Sequence, residues 1–302
     1  IIWKEMLGNY QLKELINFKV IAGRKTFKIV VWYGYQNRSI QEGSVKNWTI
    51  DNCLLSTDRN TVNESDVVVI PMQIYRQFED LPQRRNSLQR WVMLFDDYPS
   101  MILKRDGWQS GKFKRMFNWS MTYRLDSDVP IPYGWTEKRE KPIKIKQNFA
   151  NYHANDTALA SAVISHCSYT LNNRISYVKE LEKYVSLDFY GYCGNKKCPG
   201  QQYVTPCGEI KKHKFFLAFE NSNCMEYITE KLWLLSYDQK VIPIVMGAPK
   251  SDYIAQAPPN SFIHVDDFKS PKALAEYITM LDKNNTAYNE YFQWRRLYTT
   301  HS

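Results

Sequence analysis

An acid, a hydroxyl and a base lie close together where a predicted strand gives way to a predicted helix. The apolar run Phe215–Phe219 is followed, after a polar turn, by Glu226, Thr229, Glu230 and Lys231. The free N–H groups and the dipole of a helix N-terminus favour an anion. A lysine in the first turn opposes that dipole unless an anionic ligand is bound. The junction therefore predicts a phosphate-binding site. The alternative is an ordinary surface helix with Lys231 in solvent.

A pair of aspartates, Asp126 and Asp128, forms a second candidate site. Two carboxylates two residues apart can share a hard cation with phosphates. They can equally bond the backbone of a turn, here just before Pro130. We favour the structural role and predict no metal at this position.

The chain has six cysteines, and Cys193, Cys198 and Cys207 cluster in one loop rich in glycine and proline. A zinc site that includes His213 is one interpretation, although the spacing does not match a zinc finger. Disulfides are favoured, since the chain is also rich in N-glycosylation sequons, which indicate an oxidising compartment. These candidate glycosylation sites are Asn37, Asn47, Asn63, Asn118, Asn155 and Asn284.

Composition narrows the choice of partner. The 302 residues carry a net charge of +9, and 15% are aromatic. Such a charge suits nucleic acid, a membrane surface or a phosphorylated substrate. The basic residues are scattered and no nucleic-acid-reading motif is present, so we expect no nucleic acid as partner. No apolar run reaches the length of a membrane span. The chain begins at Ile1 without a Met, and we expect it to be the lumenal part of a longer, membrane-anchored protein.

Apolar runs that alternate with helical patterns predict a parallel α/β architecture. We expect strands at residues 27–33, 67–70, 91–95, 159–164, 187–190, 215–219, 240–246 and 262–265. We expect helices at residues 9–18 and 172–184, and from Pro271 onward. The charged segment 136–148 is the best linker candidate, so we divide the chain into domains 1–145 and 146–302.

Four ordered blocks resemble the α1,3-fucosyltransferases. They are FENSNCMEYITEK at 219–231, FNWSMTYRLDSDVPIPYG at 117–134, the helix-and-strand block at 172–194, and the segment 241–278. Together they cover most of the chain. The resemblance implies the GT-B fold, an α/β type with two facing Rossmann-like domains. The donor GDP-fucose is then expected in the C-terminal domain, the acceptor mainly against the N-terminal domain, and the final helix back on the N-terminal domain.

The resemblance also implies which residues bind the donor. Arg174 and Lys231 match the family's diphosphate contacts, and Glu230 matches its ribose-binding carboxylate. The remaining donor-pocket residues implied by the matching blocks are Tyr123, Asn221, Ser222 and Tyr227. A metal is not expected to be essential.

The general base departs from the family pattern. The family carries a Glu in a W-x-x-x-x-x-E-S-P segment, and counting from Trp91 puts Asp97 in that place. Aspartate is one methylene shorter, so Asp96 is kept as the alternative base. The resemblance further implies a disulfide between Cys167 and Cys224, and a partner for Cys53 beyond residue 302.

From these matches we expect a Golgi-lumenal, type II membrane-anchored glycoprotein. It would transfer fucose with inversion from GDP-fucose to the 3-OH of N-acetylglucosamine, on a glycan or glycoprotein acceptor. The innermost N-acetylglucosamine of N-glycans is the favoured acceptor. Lewis-type transfer to N-acetyllactosamine, protein O-fucosylation and a non-catalytic GDP-sugar-binding protein are the alternatives.

Overall fold

The computed structural model describes residues 26–32, 47–72, 81–82, 85–100, 111, 113–151, 158–168, 170, 172–199 and 207–302. The chain forms two compact units, Ile1–Ile131 and Pro132–Ser302. Residues 132–145, which we assigned to the N-terminal domain, lie in the second unit. The helix predicted at residues 9–18 lies outside the described residues.

The described part of the first unit contains one seven-stranded sheet, ordered β2-β3-β1-β4-β5-β6-β7. The strands are β1 (Phe27–Val31), β2 (Asn47–Ile50), β3 (Cys53–Ser56), β4 (Val67–Pro71), β5 (Arg90–Phe95), β6 (Trp119–Thr122) and β7 (Val129–Pro130). All neighbouring strands run parallel except β2, which is antiparallel to β3. Burial of apolar side chains on both faces of β4 explains why this strand is a continuous Val/Ile run.

The described part of the second unit contains a five-stranded parallel sheet, ordered β10-β9-β11-β12-β13. Its strands are β9 (Ala160–Val163), β10 (Leu187–Tyr190), β11 (Phe215–Phe219), β12 (Ile242–Met246) and β13 (Ile263–His264). A separate antiparallel pair joins β8 (Trp135–Lys138) to β14 (Tyr298–His301). This pairing places a strand at the start of the segment predicted to be a linker, so the linker prediction is wrong for residues 136–138.

Helices cover both faces of the five-stranded sheet. They are α1 (Arg174–Leu181), α2 (Glu230–Leu232), α3 (Lys250–Gln256), α4 (Pro271–Lys283) and α5 (Asn285–Glu290), and α2 continues as a π-helical turn, Trp233–Tyr237. Phe215 and Leu217 pack with α1 and α4 on one face of β11, whereas Phe216 packs with the π turn and α3 on the other. Helices on both faces of a parallel sheet form a doubly wound arrangement, in agreement with the parallel α/β architecture predicted from the sequence.

The start of α4 confirms the helix predicted from Pro271 onward. Ser270 Oγ accepts a hydrogen bond from Ala273 N at 3.2 Å, and Pro271 occupies the first helical position. Leu274, Ile278 and Leu281 are buried against the sheet, as their spacing predicts. The mixed α/β class with parallel sheets is therefore confirmed.

Candidate active site

The candidate donor site lies at the carboxyl ends of the parallel strands of the second unit. Because β9, β11 and β12 run parallel, the loops that follow them meet at one edge of the sheet, where α/β proteins bind ligands. Of the residues predicted to bind the donor, this unit contains Arg174, Asn221, Ser222, Tyr227, Glu230 and Lys231. Tyr123 and the two candidate bases belong to the first unit.

Lys231 is the centre of a network of hydrogen bonds. Its Nζ donates to Thr229 Oγ1 at 2.8 Å, to Glu220 Oε2 at 3.0 Å and to Glu230 Oε1 at 3.1 Å. The Lys231 side chain is 15% exposed, that of Glu220 1% and that of Glu230 44%. The ammonium therefore has one carboxylate partner inside the protein and one at the surface.

Glu220 also accepts from the backbone N of Thr229 at 2.8 Å and from its Oγ1 at 2.9 and 3.0 Å. Sequence reasoning missed this residue. It stands in the FEN block, next to Asn221, and its position directly after a wholly buried strand was the available signal. Burial of a carboxylate at that position costs free energy unless the carboxylate is paired and hydrogen-bonded.

Burial and charge act in opposite directions on the three ionisable groups. Burial raises the pKa of Glu220, and the charge of Lys231 opposes that rise. Burial alone would raise the pKa of Glu230, but Lys231 holds it below its ordinary value. Burial alone would lower the pKa of Lys231, but the two glutamates raise it above its ordinary value. Lys231 is consequently a fixed cation at neutral pH.

Gly247, at the end of β12, makes room for the Glu220 side chain. A Cβ on Gly247 would lie 2.5 Å from Glu220 Cβ and 2.9 Å from its Cγ, and the glycine has φ +141°. Contacts under about 3 Å between carbon atoms are repulsive, and this φ favours glycine. The backbone N of Glu220 also donates to Met246 O at 2.8 Å.

Arg174 lies at the start of α1 and is 2% exposed. Its Nη1 donates to Phe219 O and its Nη2 to His166 O, each at 3.0 Å. The guanidinium therefore ties the end of β11 to the loop that follows β9. In this conformation Arg174 can supply charge from beneath the site, whereas Lys231 is the more accessible cation.

The loop between β11 and α2 is held by backbone and ring contacts. Glu226 N donates to Asp252 Oδ2 at 2.6 Å, and Tyr227, which is buried, packs edge-on against Tyr133 at 6.4 Å between ring centroids. Glu226 has φ +58°, an uncommon value for a residue with a side chain. The helix begins at Glu230 rather than at Glu226, so the predicted helix start is corrected by four residues.

Asn221 and Ser222 provide polar atoms that a ligand could use. Within the described part of the chain, Asn221 Oδ1 and Ser222 Oγ are buried and have no hydrogen-bond partner. Buried polar atoms are usually paired. Their placement after β11 is consistent with the predicted donor pocket.

The candidate bases follow β5 in the first unit. Asp96 is 4% exposed, whereas Asp97 is half-buried and its Oδ1 accepts a hydrogen bond from Tyr98 N at 2.8 Å. Tyr123 follows β6 and is 3% exposed. Asp97 is thus the more accessible of the two carboxylates.

The D-x-D pair has structural partners. Asp126 forms a salt bridge with Arg124 at 2.5 Å, and Asp128 Oδ2 accepts from Ser120 N at 2.8 Å and Ser120 Oγ at 2.9 Å. Among the residues that the structure describes, no group of three or more His, Cys, Asp or Glu side chains could hold a metal ion.

The cysteine prediction is wrong in its pairing. The described residues contain two disulfides, Cys167–Cys193 and Cys198–Cys207, and neither includes Cys224. The partner of Cys167 comes from the loop after β10, because β10 lies beside β9 and the two loops emerge at the same edge. The zinc interpretation also fails, since all three clustered cysteines are in disulfides.

His213, the fourth zinc candidate, instead contacts Asp188 at 3.1 Å. The described sequon asparagines, Asn47, Asn63, Asn118 and Asn284, are exposed, while Asn37 and Asn155 lie outside the described residues. Glycosylation at these positions remains a prediction. In the described part of the chain, no helix combines the length and the hydropathy that crossing a bilayer requires.

Two family models match the chain. The model described as "Fucosyltransferase, N-terminal" matches residues 24–134, and "Glycosyltransferase family 10 (fucosyltransferase) C-term" matches residues 153–302. The matched ranges include both candidate bases and every predicted donor-binding residue.

Individual proteins agree with these models. The chain is 37% identical over 253 residues to glycoprotein 3-alpha-L-fucosyltransferase A of Drosophila melanogaster, covering 82% of the chain and 47% of that protein. It is 33% identical over 253 residues to human 4-galactosyl-N-acetylglucosaminide 3-alpha-L-fucosyltransferase FUT6, covering 81% of the chain and 65% of that protein. The matched region is thus about half to two thirds of the length of these relatives.

A solved structure shares the fold. The crystal structure of an alpha1,3-fucosyltransferase with GDP-fucose aligns with a TM-score of 0.54 at 18% identity, over 92% of this chain and 85% of that one. The matches to both family models, the relatives above 30% identity and the shared fold lead to one conclusion: the chain belongs to the glycosyltransferase family 10 fucosyltransferases.

Proposed function

We propose that this protein transfers fucose from GDP-fucose to the 3-OH of N-acetylglucosamine, with inversion at the anomeric carbon. The observation that carries the proposal is Lys231, a cation held by two glutamates at the carboxyl edge of the five-stranded sheet. The chain belongs to a family of fucosyltransferases, and this supports GDP-fucose as the anionic ligand of Lys231. A solved relative with the same fold is described as a complex with GDP-fucose.

The donor residues act mainly through charge. Two phosphates carry negative charge in GDP-fucose, and more charge develops on GDP as the sugar leaves. A preorganised cation stabilises that charge more than a mobile one. Lys231 contacts the diphosphate in this proposal, and Arg174 adds positive charge from beneath. Glu230 accepts hydrogen bonds from the ribose hydroxyls, while Asn221, Ser222 and Tyr227 line the pocket.

The reaction also needs a base for the acceptor hydroxyl. Asp97 takes the proton, the acceptor oxygen forms a bond to the anomeric carbon, and the bond from that carbon to the phosphate oxygen breaks. The bonding electron pair leaves with GDP, so a single displacement inverts the anomeric centre, as in inverting glycosidases. Asp97 is preferred to Asp96 because it is the more accessible carboxylate. The proposed reaction needs no metal, since Lys231 and Arg174 supply the positive charge that stabilises GDP as it leaves.

The acceptor that we propose is the innermost N-acetylglucosamine of N-glycans, in the Golgi lumen, with the protein anchored as a type II membrane protein. The name of the Drosophila relative, a glycoprotein fucosyltransferase, supports this acceptor at 37% identity. The human relative at 33% identity is named for a galactosyl-N-acetylglucosaminide acceptor. Lewis-type transfer is therefore the second candidate.

The first experiment is transfer from GDP-fucose to a panel of acceptors. The panel contains a core N-glycopeptide, N-acetyllactosamine and a bare peptide, each assayed with EDTA and with Mn²⁺, and products are identified by mass and linkage. Fucose on the 3-OH of the core N-acetylglucosamine is the expected product. Fucosylated N-acetyllactosamine would select the Lewis-type acceptor, and a fucosylated peptide would indicate O-fucosylation. Binding of GDP without any transfer would contradict the enzymatic proposal.

A further inference from the structure

Glu220 is a buried carboxylate to which the reaction described above gives no role. Its side chain is 1% exposed, and a buried charge is costly unless it is paired and fully hydrogen-bonded. Glu220 meets both conditions, because it accepts from Thr229 N, Thr229 Oγ1 and Lys231 Nζ. An apolar side chain at position 220 would need no such hydrogen-bond partners, yet the chain has a carboxylate there.

The surroundings of Glu220 are built to admit it. Gly247 has no Cβ at the point where one would lie 2.5 Å from Glu220 Cβ. The main chain of Glu220 is held on both sides, since its N donates to Met246 O and its carbonyl accepts from Asn172 Nδ2 at 2.9 Å. These contacts fix the backbone of Glu220, and the hydrogen bonds from Thr229 restrain its carboxylate.

The three hydrogen-bond partners of Lys231 differ in burial. Glu220 and Thr229 are both buried, whereas the Glu230 side chain is 44% exposed. A lysine ammonium has three N–H donors, and the three partners use all of them. A diphosphate oxygen can therefore bind Lys231 most simply by replacing Glu230, while the two buried partners stay in place.

We propose that Glu220 is a positioning residue for Lys231: it holds the ammonium at the sheet edge and keeps it charged, while Glu230 is the partner that the diphosphate replaces. The inference rests on the proposed function, in which Lys231 contacts the diphosphate. It assigns distinct roles to two glutamates that bond the same nitrogen.

Removing the charge of Glu220 should change how Lys231 titrates. With Glu220→Gln the ammonium stays mostly enclosed but loses its buried counter-charge, so desolvation lowers the pKa of Lys231. Anion binding should then weaken further as the pH rises. A residue with a purely structural role would not produce this pH dependence.

The test measures binding of inorganic pyrophosphate and of GDP by calorimetry between pH 6.5 and 9.5. Pyrophosphate lacks the ribose, so its affinity reports on Lys231 without any contribution from a contact between Glu230 and the ribose. We expect Glu220→Gln to weaken pyrophosphate binding about tenfold or more at pH 7.5, with a larger loss at pH 9.5. We expect Glu230→Gln to bind pyrophosphate more tightly than the wild type, because it no longer competes as an anion.

Glu180→Gln is the matched control, since Glu180 also pairs with a lysine, Lys183, at 2.6 Å on the surface of the second unit. It should bind both probes like the wild type.

If Glu220→Gln does not fold, the double variant Glu220→Gln/Lys231→Met removes both charges and tests the same coupling. We expect Lys231→Met to be destabilised by the unpaired buried carboxylate, and the double variant to recover stability.

Two results would overturn the inference while leaving the donor site intact. One is a Glu220→Gln protein with the affinity and pH profile of the wild type. The other is a Lys231→Met protein whose stability does not improve when Glu220→Gln is added. A wild-type protein that bound neither GDP nor pyrophosphate would instead contradict the proposed function, and the inference with it.

Discussion

Strands β11 and β12 of the five-stranded sheet differ from strand β6 of the seven-stranded sheet in how deeply they are buried. In the five-stranded sheet every residue of β11 and β12 is buried, whereas every residue of β6 in the seven-stranded sheet is only half-buried. The deeply buried strands carry the charged network around Lys231 at their ends. The other sheet carries the candidate bases, Asp96 and Asp97. In the proposed function, the second unit binds the donor and the first unit supplies the base.

The largest effect is expected from Lys231→Ala. Loss of this cation should cut transfer about a thousandfold and weaken GDP binding, because the diphosphate charge is no longer met. Steady-state kinetics and GDP calorimetry measure both. Lys183→Ala, which removes an exposed lysine of the same unit, should leave both unchanged. Unchanged GDP affinity in Lys231→Ala would move the donor site elsewhere.

The difference in burial predicts a difference in stability. Ile244→Ala in β12 removes a fully buried side chain and should cost about 3–4 kcal/mol of unfolding free energy. Met121→Ala in β6 removes a half-buried one and should cost about 1 kcal/mol. Denaturant titration gives the costs, and hydrogen exchange shows which unit opens. Equal costs would show that the difference in burial between β12 and β6 does not set their contributions to stability.

The two disulfides provide a matched pair within the second unit. Cysteine-to-serine variants of Cys167–Cys193, separated by 26 residues, should lose about 3.5 kcal/mol, and those of Cys198–Cys207, separated by 9, about 2.6 kcal/mol on loop entropy. Loss of the Cys167–Cys193 disulfide should also weaken GDP binding. Cys167 follows His166, whose carbonyl accepts a hydrogen bond from Arg174. Equal GDP affinity in both double variants would show that this loop does not position Arg174.

Asp97→Asn tests the contribution of the first unit. We expect kcat to fall by about two decades with GDP affinity unchanged, since the amide cannot accept the proton. Asp96→Asn is the comparison variant. Near-normal turnover in Asp97→Asn together with a slow Asp96→Asn would transfer the role of base to Asp96.

The smallest effect is a pH dependence of stability from His264 at the end of β13. Burial lowers the pKa of His264, against the charges of Asp266 and Asp267. The unfolded state, with a pKa near 6.5, therefore binds the proton first. Stability is present above that pH and is lost as the pH falls toward the folded-state pKa.

Melting temperatures between pH 5 and 8 measure the His264 effect. His264→Phe keeps a ring but cannot titrate, so it should flatten the profile. His301→Phe, in the two-stranded β8–β14 sheet, is the control and should keep the slope. An unchanged profile in His264→Phe would assign the acid sensitivity to other groups.

Sequence reasoning succeeded where one local pattern decides the structure. The strands β10 and β11 begin and end where their apolar runs do, and α4 begins at its serine cap and proline. Strands β2, β3, β6 and β7 were missed. They are short or partly exposed, and partly exposed residues carry a weak hydrophobic signal. The pairing of β8 with β14 joins segments about 160 residues apart, so no local pattern could reveal it.

The sequence by itself determined the family and the α/β class, because these depend on motifs and on continuous apolar runs. The residues proposed to bind the diphosphate stay a prediction from the same motifs. Only the tertiary structure decided how those residues are partnered. It paired Cys167 with Cys193, since parallel neighbours bring their loops to one edge. It also placed Glu220 beneath Lys231, since a buried charge must find its partner in space rather than along the chain.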